Sequence, residues 1–253
     1  MKNIIKFCYK NKKKIGFGIF EENQRIVEID NAFHQKRVNT RKLLPQQIRL
    51  LPPISPTKII CVGLNYSEHI SELKMKRPNE PLIFIKPPSS IIGPYESIEI
   101  PKSSKQVDYE GELAIIIKKY CKNVSIALAK NYILGYTCLN DITARDIQKK
   151  EVQWTRAKSY DTFCPIGPWI TAGIDANNLS LQVFVNNKIK QNSNTTNFIF
   201  GINEIVSFIS KIMTLSPGDI ISTGTPPGVG QLKQGDTVEV KIEKIGSLIN
   251  FVK

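Results

Sequence analysis

The sequence contains few of the residues on which several common kinds of site depend. It has two histidines, two tryptophans and five cysteines among 253 residues, and no two cysteines are spaced as a CxxC pair. An odd, scattered set of cysteines argues against a disulfide framework and against a structural zinc site. We therefore expect free thiols and a cytoplasmic location.

Long apolar runs are also missing. No stretch reaches the roughly 18 residues that cross a membrane, and the basic N-terminus is not followed by the apolar segment of a signal peptide. Internal repeats and low-complexity tracts are absent as well. We expect neither secretion nor a membrane partner.

The net charge of +13 raises the question of nucleic-acid binding. Residues 1–58 hold 13 Lys and Arg against 4 Asp and Glu, whereas the rest of the chain holds 22 against 18. The densest part, Lys10 to Lys14, is short and poor in aromatic residues, and no helix-turn-helix, zinc-finger or RNP pattern occurs. We interpret the excess as a solvated basic surface and predict no nucleic-acid partner.

Short β-type runs dominate the chain and predict an α+β fold that is mainly β. Residues 15–29 read as two strands around a polar turn. Six further strands are predicted at IICVGL, LIFIK, GELAIIIK, LQVFVN, GDIISTG and TVEVKIE, each bounded by turn residues.

Two helices and one linker complete the predicted organisation. Apolar spacing predicts helices at 125–133 and at 203–213, the second capped by Asn203. A proline-rich stretch ends at Pro56. We therefore place a small N-terminal β-rich domain and linker at 1–56 and the main domain at 57–253.

Two glutamates, Glu110 and Glu112, stand two residues apart at the head of a predicted strand, so their side chains project from one face. Carboxylates this close repel each other unless a hard divalent cation binds between them. The apolar run that follows places them at the edge of a core, and Asp141, after another apolar stretch, offers a third ligand. A solvent-facing strand and a turn residue are the structural alternatives.

Of the two histidines, His69 has the more informative neighbour. A helical turn would place Glu72 beside it, and a carboxylate orients an imidazole that can accept a proton near neutral pH. An ordinary surface pair on a helix would have the same spacing. His34 has no such neighbour, and we treat it as structural.

Taken together, the chain resembles the fumarylacetoacetate hydrolase family from Ile59 to Val252. The resemblance rests on an ordered series of segments rather than on one motif. These segments are GLNYSEHISE, PLIFIKPPSSIIGP, VDYEGELAIII, GYTCLNDITARDIQ, WTRAKSYDTFCPIGPW, TNFIF, LSPGDIISTGTPPGVG and GDTVEVKIEKIG.

The resemblance implies roles for particular residues. Glu110, Glu112 and Asp141 would bind Mg²⁺, or alternatively Mn²⁺, while His69 and Glu72 would form a catalytic dyad on a lid. Other implied roles are negative-charge stabilisation by Lys158 and substrate contacts by Arg145, Gln148 and Thr225, although unaided spacing allows surface or turn positions for these last three.

The same resemblance implies a mixed β-sandwich roll, a homodimer and a small 2-oxo acid substrate. No carboxylate occurs in Cys61 to Tyr66, where fumarylacetoacetate hydrolase proper has another acidic ligand, and this favours relatives that act on simpler acids. The expected reaction is hydrolytic C–C cleavage of an acylpyruvate through a metal-bound enolate. Isomerisation, decarboxylation and a catalytically silent metal-binding protein are the alternatives.

Overall fold

The structure is a computed structural model, and it describes residues 1–68 and 77–253, the side chain of Arg41 excepted. Strands predominate. In chain order they are β1 (Lys2–Tyr9), β2 (Ile15–Phe20), β3 (Ile26–Ile29), β4 (Arg37–Leu43), β5 (Ile48–Leu50), β6 (Ile59–Gly63), β7 (Leu82–Lys86), β8 (Ile91–Ile92), β9 (Ser97–Ile98) and β10 (Val107–Tyr109).

The second half of the chain continues in the same way. Its strands are β11 (Gly111–Ile117), β12 (Ile133–Asn140), β13 (Thr143–Ala144), β14 (Cys164–Ala172), β15 (Ser180–Val185), β16 (Lys188–Asn194), β17 (Ile220–Ser222), β18 (Gly230–Gln231), β19 (Thr237–Ile242) and β20 (Gly246–Val252). Its helices are α1 (Ile126–Ala129), α2 (Arg145–Lys150), α3 (Thr155–Lys158) and α4 (Ile202–Ile212).

The strands of the described ranges form one large mixed sheet and two smaller sheets. The large sheet runs in the order β4-β3-β2-β1-β14-β12-β11-β17-β6-β7, and β17 pairs with β6 in parallel, whereas most other pairs are antiparallel. The second sheet has the order β16-β15-β19-β20-β9, and the third joins β13, β10 and β18. The predicted mixed, mainly β fold class is confirmed.

The first 56 residues share a sheet and an apolar cluster with the rest of the chain. Strand β1 pairs with β14 from Lys2 to Ile4. Ile4 and Ile54 belong to the same buried cluster as Ile59 and Ile116. The domain division at residue 56 stays a prediction. The segments before and after that residue are joined by the pairing of β1 with β14 and by a shared apolar cluster.

Each of the six predicted β runs contains a strand, and the two predicted helices are present with changed bounds. The run at 125–133 forms α1 followed by a 3₁₀ turn at Lys130–Tyr132. The predicted cap was wrong, because α4 begins at Ile202 and Gly201 precedes it. The five cysteines are free thiols, as expected. Within the described ranges, no helix is both long and apolar enough to cross a membrane.

Candidate active site

Three buried carboxylates, Glu110, Glu112 and Asp141, lie together where β10, β11 and β12 meet, and we call them the acidic triad. One ligand oxygen from each lies within 4.8 Å of the other two. The residues are 6%, 2% and 0% exposed. Because burial without compensation is costly for ionised carboxylates, their grouping calls for positive charge nearby.

The strand register brings the triad together. Glu110 stands at the break between β10 and β11, and Glu112 is the second residue of β11. Antiparallel pairing sets Gly111 opposite Asn140, the last residue of β12. Asp141 follows directly, and its amide donates a hydrogen bond to the Glu110 carbonyl at 2.8 Å.

The glycine between the two glutamates is required by packing against the second sheet. A Cβ atom at Gly111 would lie 2.2 Å from Cγ2 of Val183, which belongs to β15. No side chain fits at that distance. The two glutamates therefore face the site while the residue between them lets the sheets approach.

Three cations surround the triad and pair with two of its members. Lys158 Nζ lies 2.8 Å from Glu110 Oε2 and 2.6 Å from Asp141 Oδ2. The fully buried Lys86 donates to Asp141 Oδ1 at 2.6 Å. Arg145 Nη2 donates to the other oxygen of Glu110 at 2.5 Å. Each oxygen of Glu110 and Asp141 thus has a cationic partner.

Glu112 is different, because its hydrogen bonds come from neutral donors. Ser222 Oγ and the Gly224 amide donate to Oε2 at 2.5 and 2.8 Å. The Oε1 atom has no hydrogen bond to any described residue. Burial, and then the charges of Asp141 and Glu110, raise the pKa of Glu112 to about 8.

The pKa of Glu110 shifts in the opposite direction. Burial opposes its ionisation, but Lys158 and Arg145 outweigh burial and lower the pKa of Glu110 to about 2. Burial alone would also lower the pKa of the Lys158 ammonium, and Asp141 and Glu110 raise it instead. Lys158 is therefore a fixed positive charge and not a proton acceptor.

The triad fits a hard divalent cation. It offers carboxylate oxygens only, which is the donor set that Mg²⁺ and Mn²⁺ prefer. The raised pKa of Glu112 marks negative charge that the nearby lysines leave uncompensated, and a divalent cation would relieve it. The acidic triad is the set of acidic, histidine or cysteine side chains that the described residues bring close enough together to hold a metal ion.

A cavity of about 430 Å³ opens onto the triad. Phe84 and Trp154 contribute an aromatic wall, with ring centroids 5.4 Å apart in an edge-to-face arrangement. The polar lining comes from the triad together with Arg145, Gln148, Lys149, Lys158 and Thr225. Acids at the base and cations beside them suit a small anionic ligand with oxygen donors.

Two of the predicted substrate contacts are held in defined orientations. Arg145 Nη1 donates to Gln148 Oε1 at 2.6 Å, which leaves the Gln148 amide nitrogen as its available donor. Thr225 Oγ1 donates to the Gly111 carbonyl at 3.0 Å and accepts from Gln191 Nε2 at 2.8 Å. Gln191 is itself buried and fixes the hydroxyl.

Comparison with known proteins places this site in a family. The model of the fumarylacetoacetate hydrolase C-terminal domain matches residues 58–253. The chain belongs to the fumarylacetoacetate hydrolase family. It is 62% identical over 240 residues to a Methanocaldococcus jannaschii protein, covering 94% of this chain and 98% of that protein.

Two further members of the fumarylacetoacetate hydrolase family carry names that describe reactions. The rat mitochondrial oxaloacetate tautomerase Fahd2a is 43% identical over 223 residues, covering 83% of this chain and 71% of that protein. The crystal structure of 2-hydroxyhepta-2,4-diene-1,7-dioate isomerase from Mycobacterium marinum superposes with a TM-score of 0.92 at 41% identity, covering 100% and 98% of the two chains. These relatives are enzymes.

The structure brings together seven of the nine site residues predicted from sequence. Glu110, Glu112, Asp141, Lys158, Arg145, Gln148 and Thr225 all line the one cavity. His69 and Glu72 lie outside the described residues, so their dyad stays a prediction from family resemblance.

Two charged residues that pair with the predicted site residues, Lys86 and Asp108, are not predicted from the sequence. Lys86 ends the otherwise apolar run LIFIK, and a lone lysine in such a run is a signal of a buried ion pair. Asp108 lies two residues before Glu110 and accepts from Arg145 Nε at 2.8 Å. Its alternation with the two glutamates was visible, but only the fold reveals that its partner is Arg145.

Proposed function

We propose that this protein is a metal-dependent enzyme that interconverts the keto and enol forms, or the double-bond isomers, of a small 2-oxo acid. The observation that carries the proposal is the acidic triad, buried beside Lys158 at the base of a cavity. Mg²⁺ is the cation we propose, with Mn²⁺ as the alternative. Bound to these acids, a divalent cation would supply Lewis acidity and stabilise an enolate.

The chain's own residues provide orientation and fixed charge. Lys158 uses two of its three N–H groups on Glu110 and Asp141 and keeps one for a substrate oxygen. Its ammonium favours negative charge on that oxygen in a site of low dielectric constant. The Gln148 amide nitrogen, which is left free by the Arg145 contact, would donate to a substrate carboxylate.

Proton transfer requires a base that Lys158 cannot provide. We assign this role to His69, oriented by Glu72, on the ground of family resemblance, since no histidine belongs to the described lining of the cavity. The imidazole would take a proton from the carbon next to the oxo group and return it at the other end of the enolate.

Hydrolytic C–C cleavage of an acylpyruvate is the second candidate reaction, and the description of the matching family favours it. It would use the same triad and Lys158, with His69 activating a water molecule instead of removing a substrate proton. Isomerisation is preferred because relatives named for it share 41% to 43% identity with this chain. Decarboxylation of oxaloacetate would instead break a C–C bond, releasing carbon dioxide and leaving the enolate of pyruvate, and it is a third outcome of the test.

An assay of products separates these reactions. The purified protein would receive Mg²⁺ or Mn²⁺ and either oxaloacetate enol, a hydroxydienoate or an acylpyruvate. Loss of enol absorbance without pyruvate supports tautomerisation, whereas pyruvate with a second acid indicates hydrolysis, and pyruvate with carbon dioxide indicates decarboxylation. Absence of every reaction, together with absence of metal binding by calorimetry, would sink the proposal.

A homodimer and a cytoplasmic location also stay predictions. Sedimentation velocity on the purified chain tests the first of them. A filter-binding titration with duplex and single-stranded DNA at about 50 mM salt tests the expectation of no nucleic-acid partner, because phosphate contacts are strongest at low salt.

A further inference from the structure

Lys149 lies on the wall of the cavity and faces solvent. It belongs to α2, and its spacing from Arg145 and Gln148 places all three on one side of that helix. The three residues therefore form a row that leads from the acidic triad toward the solvent end of the cavity.

The two cations of this row, Arg145 and Lys149, differ in their hydrogen-bond partners. Arg145 is committed to Asp108, Glu110 and Gln148 through three different nitrogens. Lys149 forms no hydrogen bond or ion pair within the ranges 1–68 and 77–253. A 2-oxo acid thus meets an Arg145 that already has two carboxylate partners and a Lys149 that has none.

Among the described residues of the site, a charge balance leaves Lys149 without a carboxylate partner. Four carboxylates belong to the network, namely the acidic triad and Asp108, and three cations are paired with them, namely Lys86, Arg145 and Lys158. With a divalent cation added, the network carries one positive charge, which the carboxylate of a 2-oxo acid neutralises. Lys149 is then available to pair with a second anionic group of the ligand.

We propose that Lys149 is a specificity-determining residue that binds the distal carboxylate of a dicarboxylic 2-oxo acid. The inference rests on the proposed function, because the head group must sit at the acidic triad. Phe84 and Trp154 would contact the carbon chain between the two carboxylates. A lysine suits this position, since its compact charge on a flexible stem can reach tails of different lengths.

Two 2-oxo acids of equal length provide the test. 2-Oxoglutarate and 2-oxopentanoate share the head group and the number of carbon atoms, and they differ in a terminal carboxylate or methyl group. Calorimetry would measure their binding to the Mg²⁺-loaded protein. The variants are Lys149→Met, Lys149→Arg and the matched control Lys150→Met, which alters an adjacent exposed lysine outside the cavity lining.

We expect Lys149→Met to weaken 2-oxoglutarate binding roughly twofold to fivefold, the range for an exposed ion pair, and to leave 2-oxopentanoate binding unchanged. Lys149→Arg should restore most of the affinity, and Lys150→Met should alter neither ligand. Raising the salt concentration should reduce the difference in 2-oxoglutarate affinity between Lys149→Met and the wild type, because salt screens the attraction between exposed charges.

Three results would overturn the inference, and they are distinguishable. Equal affinities of Lys149→Met and the wild type for 2-oxoglutarate would show that Lys149 is a solvated surface charge while the proposed function stands. An equal loss for both ligands would show that the residue supports the cavity rather than the distal carboxylate. If the Mg²⁺-loaded wild type binds neither ligand, the proposed function fails and this inference fails with it.

Discussion

Two buried acidic centres in this protein have opposite surroundings. Asp219 follows the turn before β17, is 0% exposed, and accepts five hydrogen bonds on its two oxygens. The donors are the amides of Thr57, Lys58 and Ser216, the Thr57 hydroxyl and the Lys58 ammonium. We call this group the Asp219 junction, and it ties the start of β6 to β17.

The acidic triad is as deeply buried and less well compensated. Burial opposes ionisation of Asp219, but Lys58, Thr57 and the Ser216 amide outweigh it and lower the pKa of that carboxyl. At Glu112 burial and its acidic neighbours raise the pKa to about 8. A buried acid with donors on both oxygens and no acidic neighbour stabilises the fold, whereas a group of acids that lie close together, one of them with a free oxygen, is suited to bind a cation.

The largest expected effect of this contrast is at Lys158, the lysine that pairs with two members of the acidic triad. Lys158→Met should lower turnover about a hundredfold to a thousandfold, because it removes the charge that stabilises the developing oxyanion. Metal affinity should be kept or increased, since a competing cation is lost. Steady-state kinetics and calorimetry measure the two quantities, and a large loss of metal affinity instead would assign Lys158 to the integrity of the triad.

Substitution of Asp219 should lower the stability of the fold and leave metal binding unchanged. Asp219→Ala leaves buried donors without partners and should lower the free energy of unfolding by roughly 3 kcal/mol. Urea denaturation measures the loss, with Asp236→Ala as a control at a less buried turn carboxylate. The folded variant should bind Mn²⁺ as the wild type does. Weakened metal binding in that variant would contradict the separation of the two centres.

Substitution within the acidic triad should lower the affinity for the metal ion. Glu112→Gln keeps an oxygen for Ser222 and Gly224 but removes a ligand charge, so the affinity for Mg²⁺ and Mn²⁺ should fall about a hundredfold. The metal-free variant should be at least as stable as the wild type, because like-charge repulsion is relieved. Unchanged affinity would remove Glu112 from the proposed ligands.

The smallest expected effect depends on pH. Lys58→Met should lower stability by about 1 kcal/mol at neutral pH, since Lys58 is partly exposed. The lowered pKa of Asp219 means that its ionised form stabilises the fold above its unfolded pKa of about 3.9, and that this contribution is lost as the pH falls through the folded pKa. Denaturation curves of Lys58→Met and the wild type should therefore converge in acid, and a constant gap would contradict the ion pair.

Sequence patterns could predict the strands and the candidate ligands. The alternation of Glu110 and Glu112 and the apolar runs are local features, and seven predicted site residues line one cavity. The Lys86–Asp141 contact joins residues 55 positions apart and depends on the order of strands in the sheet. Local spacing carries no information about such pairings.

The same limit applies to the role of an individual charge. Asp219 and Asp141 both stand beside apolar strand residues, and nothing nearby in the sequence says that one meets five donors while the other meets two lysines. Arg145 was expected at the substrate and also proves to be bonded to Asp108 and Glu110. Donor counts follow from tertiary packing, and they separate a structural acid from a ligand.

The packing of Gly111 against Val183 limits how this site can be redesigned. The two glutamates stand on either side of this contact, and position 111 itself admits no side chain. A softer metal would therefore require new donors at 110, 112 or 141, together with changes to the cations that pair with Glu110 and Asp141. This protein cannot provide metal ligands from three consecutive side chains at 110, 111 and 112, because a side chain at 111 would collide with Val183.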